Sequence, residues 1–111
     1  MTQHDDASRL RHMLDAACKA VEFSKGKNRS SLDSEEQLVL SLTRLIEIVG
    51  EAAKNVSSDM RNKHPEIPWG DIAGTRDRLI HGYFDVDYDV VWQIVSSDLP
   101  KLVAQLKKLV A

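Results

Sequence analysis

The chain reads as an all-α domain, a bundle of four to five helices, on three observations. Apolar residues recur at helical spacing along most of its 111 residues, clusters of Pro, Gly and polar residues separate those stretches, and no segment shows the alternation of a half-buried strand. A chain of this length holds one core and has no room for a second, so residues 1–111 are read as a single domain.

The first stretch sets Leu10, Met13, Leu14, Ala17 and Val21 on one face, with Asp5 and Asp6 at the positive end of the helix dipole. This gives a helix from Asp6 to Ser24. Gly26-Lys27-Asn28-Arg29-Ser30-Ser31 has no apolar residue and reads as a loop. A second helix is expected from Asp33 to Val56, with Asp33 or Ser34 as N-cap and Glu36 and Gln37 near the third position of a capping box. It carries two apolar stripes, one of Leu38, Leu42, Leu45, Val49, Ala52 and Val56 and the other of Val39, Ile46 and Ala53. A helix apolar on two sides needs two partners: the domain's own core and, on this reading, a second copy of the chain. Gly50 costs that helix about 1 kcal/mol relative to Ala, which points to a close helix contact there.

Pro65 and Pro68 mark residues Asn62 to Trp69 as a connector. A third helix should start between Pro68 and Asp71 and run to Gly82, placing Ile72, Arg76, Leu79, Ile80 and Tyr83 on one face. From Asp87 a last amphipathic helix carries Val90, Val91, Ile94, Val95, Leu99, Leu102, Val103, Leu106 and Leu109, and Pro100 must kink it or divide it in two.

Composition narrows the function classes. Hydrophobic residues at 42% and charged residues at 29% describe a chain that folds. A net charge of −2 excludes nucleic-acid binding through bulk positive charge, so any RNA contact must come from a local patch. Cys18 is the only cysteine, which rules out an internal disulfide and a cysteine-rich zinc site. The polar, acidic start and the lack of an apolar run near roughly 18 residues fit neither a signal peptide nor a membrane span. A cytoplasmic protein without membrane contact is the expectation.

The densest group of reactive side chains is Arg76-Asp77-Arg78-Leu79-Ile80-His81-Gly82-Tyr83. The arginine fork can donate two hydrogen bonds to a phosphate, and the imidazole can take or give a proton near neutral pH. RNA cleavage by the neighbouring 2′-hydroxyl needs both, and it needs neither metal nor cofactor. On a continuous helix Arg76 and His81 would point about 140° apart. Either the helix ends at His81 and frees the imidazole, or two copies of the segment bring Arg and His together across a symmetric interface. The plain alternative is structural: Arg76 pairs with Asp77 or Glu47, and His81 caps a helix. Asp85, Asp87 and Asp89 resemble the start of a calcium loop, but Val90 and Ser96 stand where such a loop needs Gly and Glu. Trp69 and Trp92 read as core or interface anchors.

The run Arg76-x4-His81-x-Tyr83, followed by Phe84-Asp85-Val86-Asp87, resembles the signature of the HepT family within the HEPN superfamily. The likeness continues through Arg9 to Leu14, Arg44 to Ala53, His64 to Trp69 and Asp98 to Pro100. It implies a homodimeric helical ribonuclease, the toxin of a type VII toxin–antitoxin pair, acting on tRNA or mRNA, with Arg76 and His81 from both chains lining a shared cleft. It also implies an MNT-type nucleotidyltransferase antitoxin that uses ATP to place AMP on Tyr83. Asp77, Arg78 and Glu47 are candidate supporting residues. Such proteins commonly carry Asn after the motif arginine; the acid Asp77 here can orient Arg76 or neutralise part of its charge. A rival class is a non-catalytic helical module that partners a nucleotidyltransferase, and a third is a purely structural helical oligomer.

Overall fold

The computed structural model describes residues 5–81 and 85–110. In chain order these form α1 (Asp6–Ser24), α2 (Ser31–Ser34), α3 (Glu36–Lys54), α4 (Ser58–Lys63), α5 (Trp69–Ala73), α6 (Thr75–Leu79), β1 (Ile80–His81), β2 (Asp85–Val86), α7 (Tyr88–Gln93), a π-helical turn (Ile94–Asp98) and α8 (Leu99–Leu109). The domain is mostly helical, and α1, α3 and the α7–α8 rod make its frame. No helix among the described residues is long and apolar enough to cross a membrane.

The Asp5 carboxylate accepts from Ser8 N at 2.9 Å and caps α1. In the first turn, Asp6 accepts from Ser57 N at 2.8 Å and from Ser57 Oγ at 2.6 Å. These two bonds fasten the start of α1 to the N-cap of α4 and hold the Asp6 carboxyl below its ordinary pKa. Leu10, Met13, Ala16, Ala17 and Ala20 are buried along α1, which packs on α3 and α8.

Helix α3 is where the expected boundaries shift. The capping box at Asp33 or Ser34 does not form; those residues end the separate turn α2, and α3 starts at Glu36 without a side-chain cap. It stops at Lys54, leaving Val56 buried just beyond it. Both apolar stripes find partners within one chain, α1 on one side and α5 to α7 on the other, so neither requires a second copy. Gly50 does sit at a close approach: a Cβ there would lie 3.0 Å from the Ile72 carbonyl oxygen of α5.

The second half departs further from the expected helices. Ser57 Oγ accepts from Met60 N at 3.2 Å and starts α4, a short helix between the expected helix end at Val56 and the connector, which it enters only at Asn62 and Lys63. Trp69 is a buried anchor, as expected, and its indole Nε1 donates to the His64 carbonyl at 2.9 Å. The single helix expected from Pro68 to Gly82 is instead α5, a break at Gly74, and α6, which ends at Leu79. Ile80 is already extended, and a two-strand antiparallel ladder pairs Ile80 with Val86 and His81 with Asp85. The Asp87 N–H donates to the Leu79 carbonyl at 2.8 Å, closing the ladder where the helix would have continued. Pro100 does divide the last helix: the preceding turn widens to a π-turn, with Leu99 N–H donating to Ile94 O, before α8 resumes.

Candidate functional site

Arg76 stands in the first turn of α6, and its guanidinium reaches across to α3, where Nε lies 3.4 Å from Glu47 Oε2. Two-thirds of the Arg76 side chain is exposed, against 25% of Glu47. The pair forms one wall of a cleft of about 250 Å³ that Arg44, Gly50, Glu51 and Lys54 also line. Three cations against two acids give it a slight positive excess, the local patch that the net charge does not reveal. The contact with Glu47 runs through Nε and most of the Arg76 side chain is exposed, so the guanidinium is accessible to a phosphate.

His81 lies past the end of α6, on β1. Its Nε2 is 3.6 Å from Asp87 Oδ2, and 65% of the side chain is exposed. Asp87 is fixed three ways: its N–H donates to Leu79, Oδ1 accepts from Val90 N at 3.2 Å as the N-cap of α7, and Oδ2 faces the imidazole. The Val90 N–H holds the Asp87 carboxyl below its ordinary pKa, and His81 adds to this, while partial desolvation opposes it. The sequence marks Asp87 as the start of the last helix and the end of the run after the motif, not as a partner of His81. Its position three residues before Val90 marks the cap, but its reach to His81 depends on the ladder.

The structure thus gives Arg76 and His81 separate carboxylates, Glu47 and Asp87, and leaves both side chains open to solvent. Arg78 turns to the other side of α6, with Nη2 4.0 Å from Asp98 Oδ2. Asp77 is exposed, and among the described residues it makes no ion pair with Arg76. Tyr83, the expected site of modification, lies outside the described residues. Among the described residues no group of three or more His, Cys, Asp or Glu side chains is placed to hold a metal ion.

Residues 13–109 match a family model described as Ribonuclease HepT-like. A protein of Thermococcus cleftensis named "Probable ribonuclease HepT" is 44% identical over 75 residues, covering 68% of this chain and 68% of its own. A protein of Caldanaerobacter subterraneus subsp. tengcongensis, named as a candidate RNase, is 37% identical and covers 90% of this chain and 89% of its own. One from Methanocaldococcus jannaschii, also named as a candidate RNase, is 34% identical with coverage of 92% and 94%. No solved structure matches the chain significantly.

Proposed function

This chain belongs to the Ribonuclease HepT-like family, and from that premise we propose that it is a metal-independent endoribonuclease, the toxin of a toxin–antitoxin pair. The observation that carries the reading is that the motif guanidinium and the motif imidazole are both exposed, each standing beside a carboxylate of its own. Cleavage proceeds by attack of a 2′-hydroxyl on the adjacent phosphorus. The nucleophile's proton leaves to a base, the 5′-oxygen departs with a proton, and the product keeps a 2′,3′-cyclic phosphate. His81 moves the protons and Arg76 neutralises the charge that builds on the phosphorane oxygens.

Likeness to the HepT family supports a cleft completed by a second copy: a homodimer in which both residues of both chains face one phosphodiester. In the paired state an MNT-type nucleotidyltransferase antitoxin silences the enzyme. The Tyr83 phenol oxygen attacks the α-phosphorus of ATP, the phenolic proton and pyrophosphate leave, and the new phosphodiester carries a negative charge that competes with RNA phosphate for the motif arginine. The substrate is tRNA or mRNA, met in the cytoplasm.

The test is cleavage of RNA by the purified chain in the presence of a chelator. Wild type should degrade it, and His81→Ala and Arg76→Ala should each lose activity by about 100-fold or more while melting as wild type does. Equal RNA degradation by wild type and both variants would leave the non-catalytic partner module as the better reading.

A further inference from the structure

A second cavity lies on the other side of α6 from the Arg76 cleft. It encloses about 290 Å³ between α3, α5, α8 and the π-helical turn. That is the size of a fragment-scale site, near the low end of the roughly 300–1,000 Å³ of small-molecule pockets. Ile72 and Leu102 line it, together with the charged residues Glu66, Asp71, Arg78, Asp98 and Lys101. Three features converge there. The π-turn, a backbone irregularity common at functional sites, supplies Asp98. The facing Arg78 comes from the same short helix as Arg76. The Arg78–Asp98 separation of 4.0 Å is too long for a hydrogen bond, so neither group spends its hydrogen bonds on the other.

We infer that this cavity is a base-reading pocket that takes one unstacked guanine of the RNA substrate, an inference that rests on the ribonuclease reading. Flat apolar faces suit Ile72 and Leu102, and the charged residues select the base. Guanine presents two adjacent donors, N1–H and the N2 amine, which a carboxylate accepts together, and a carbonyl at O6 for a guanidinium or ammonium. Asp98 or Asp71 supplies the first match, Arg78 or Lys101 the second. Adenine has no carbonyl, cytosine sets a ring acceptor beside its single donor, and uracil has one donor between two carbonyls. Each leaves a carboxylate oxygen facing an acceptor or nothing. Base reading in single-stranded RNA ordinarily uses splayed bases in this way.

The pocket also sits at a usable distance from the cut. Residues two apart on a helix point about 200° apart, so Arg76 and Arg78 face opposite sides of α6. The helix diameter between them, about 10–12 Å, equals about three stacked nucleotides at roughly 3.4 Å each. A strand must pass round α6 and not through it, so that span is a minimum and the guanine is read about three to five nucleotides from the scissile phosphate.

Two measurements test this. Titrating guanosine into the His81→Ala chain, followed by amide chemical shifts, should perturb Ile72, Leu99 and Leu102, with the other three nucleosides at least about tenfold weaker and Asp98→Asn about tenfold weaker for guanosine. Mapping cut sites on a random RNA pool should show guanine enriched about three to five nucleotides from the cut, and Asp98→Asn or Asp71→Asn should flatten that enrichment. Equal or absent shifts for all four nucleosides, or cuts without guanine enrichment in a chain that cleaves RNA, overturn the pocket and leave the ribonuclease intact. A chain that binds guanosine selectively at these residues but never cleaves RNA removes the ribonuclease reading instead.

Discussion

Gly50→Ala is the perturbation that best joins the fold to the site. In an exposed helix the change should stabilise by about 1 kcal/mol, because alanine loses less backbone freedom on folding. Here the new methyl would lie 3.0 Å from the Ile72 carbonyl oxygen. A backbone oxygen in a helix cannot rotate away as a side chain can, so α3 and α5 must separate by a few tenths of an ångström. Overpacking of this kind costs about 1–3 kcal/mol, which outweighs the helical gain and leaves a net loss of about 1 kcal/mol. For a chain of this size that is a fall of roughly 4–8 °C in Tm, read by calorimetry or by thermal unfolding at 222 nm. Glu51→Ala, one residue on and exposed, should stay within about 0.5 kcal/mol of wild type. Gly50 and Ala73 line the same cleft as Arg76, so RNA cleavage should fall as well. A Gly50→Ala chain that melts higher than wild type would refute the close approach and the reason given for the glycine.

Leu42→Ala removes a fully buried side chain from the middle of α3 and should cost about 2–5 kcal/mol in urea unfolding. For Asp6 the folded pKa lies below its ordinary value of 3.8, so its contribution is fully present above that value and disappears as pH falls through the folded pKa. Wild type should therefore exceed Asp6→Asn in stability at pH 6, and the gap should close on acidification towards pH 2. Asp87→Ala removes both the α7 cap and the carboxylate facing His81; it should lower Tm and depress cleavage, whereas Asp89→Ala, on an exposed pair with Arg29, should leave cleavage unchanged. If the cleft is shared, mixing Arg76→Ala with His81→Ala chains should restore partial activity through heterodimers, and failure to restore any would place a complete site within one chain.

Local signals read the helical frame well where the pattern was long. The bounds of α1, from Asp6 to Ser24, match the expectation, because nineteen residues of consistent period with an acidic cap leave little choice. The close approach at Gly50 and the division at Pro100 were legible for a related reason: each rests on a residue whose backbone chemistry tolerates few alternatives. Short elements were not. Helix α4 buries none of its residues, so it has no apolar stripe to detect, and only the Ser57 cap announces it. The strands β1 and β2 are two residues each, too short for alternation to exist.

The same limit explains what was and was not readable at the site. The residue types at 76 and 81 identify phosphate and proton chemistry without any structure, but the divergence of about 140° on a continuous helix does not hold, because α6 ends at Leu79. What ends it is the Asp87 N–H on the Leu79 carbonyl, a bond eight positions apart in sequence that no helical or strand period encodes. That bond also decides where the imidazole stands, since it brings the Asp87 carboxylate within reach of His81. One aspartate therefore terminates a ladder, caps a helix and faces the proposed proton carrier. Charge patterning could flag it only as an acid before an apolar run. Arg76, by contrast, meets Glu47, one of the two carboxylates that a structural role would give it, because a long side chain leaving a short helix against α3 has few carboxylates within range. Ion pairs this exposed are weak, of order 0–1 kcal/mol, so neither carboxylate grips its partner strongly. A phosphodiester entering between them has little to displace, which is what a site that must bind and release a charged substrate requires.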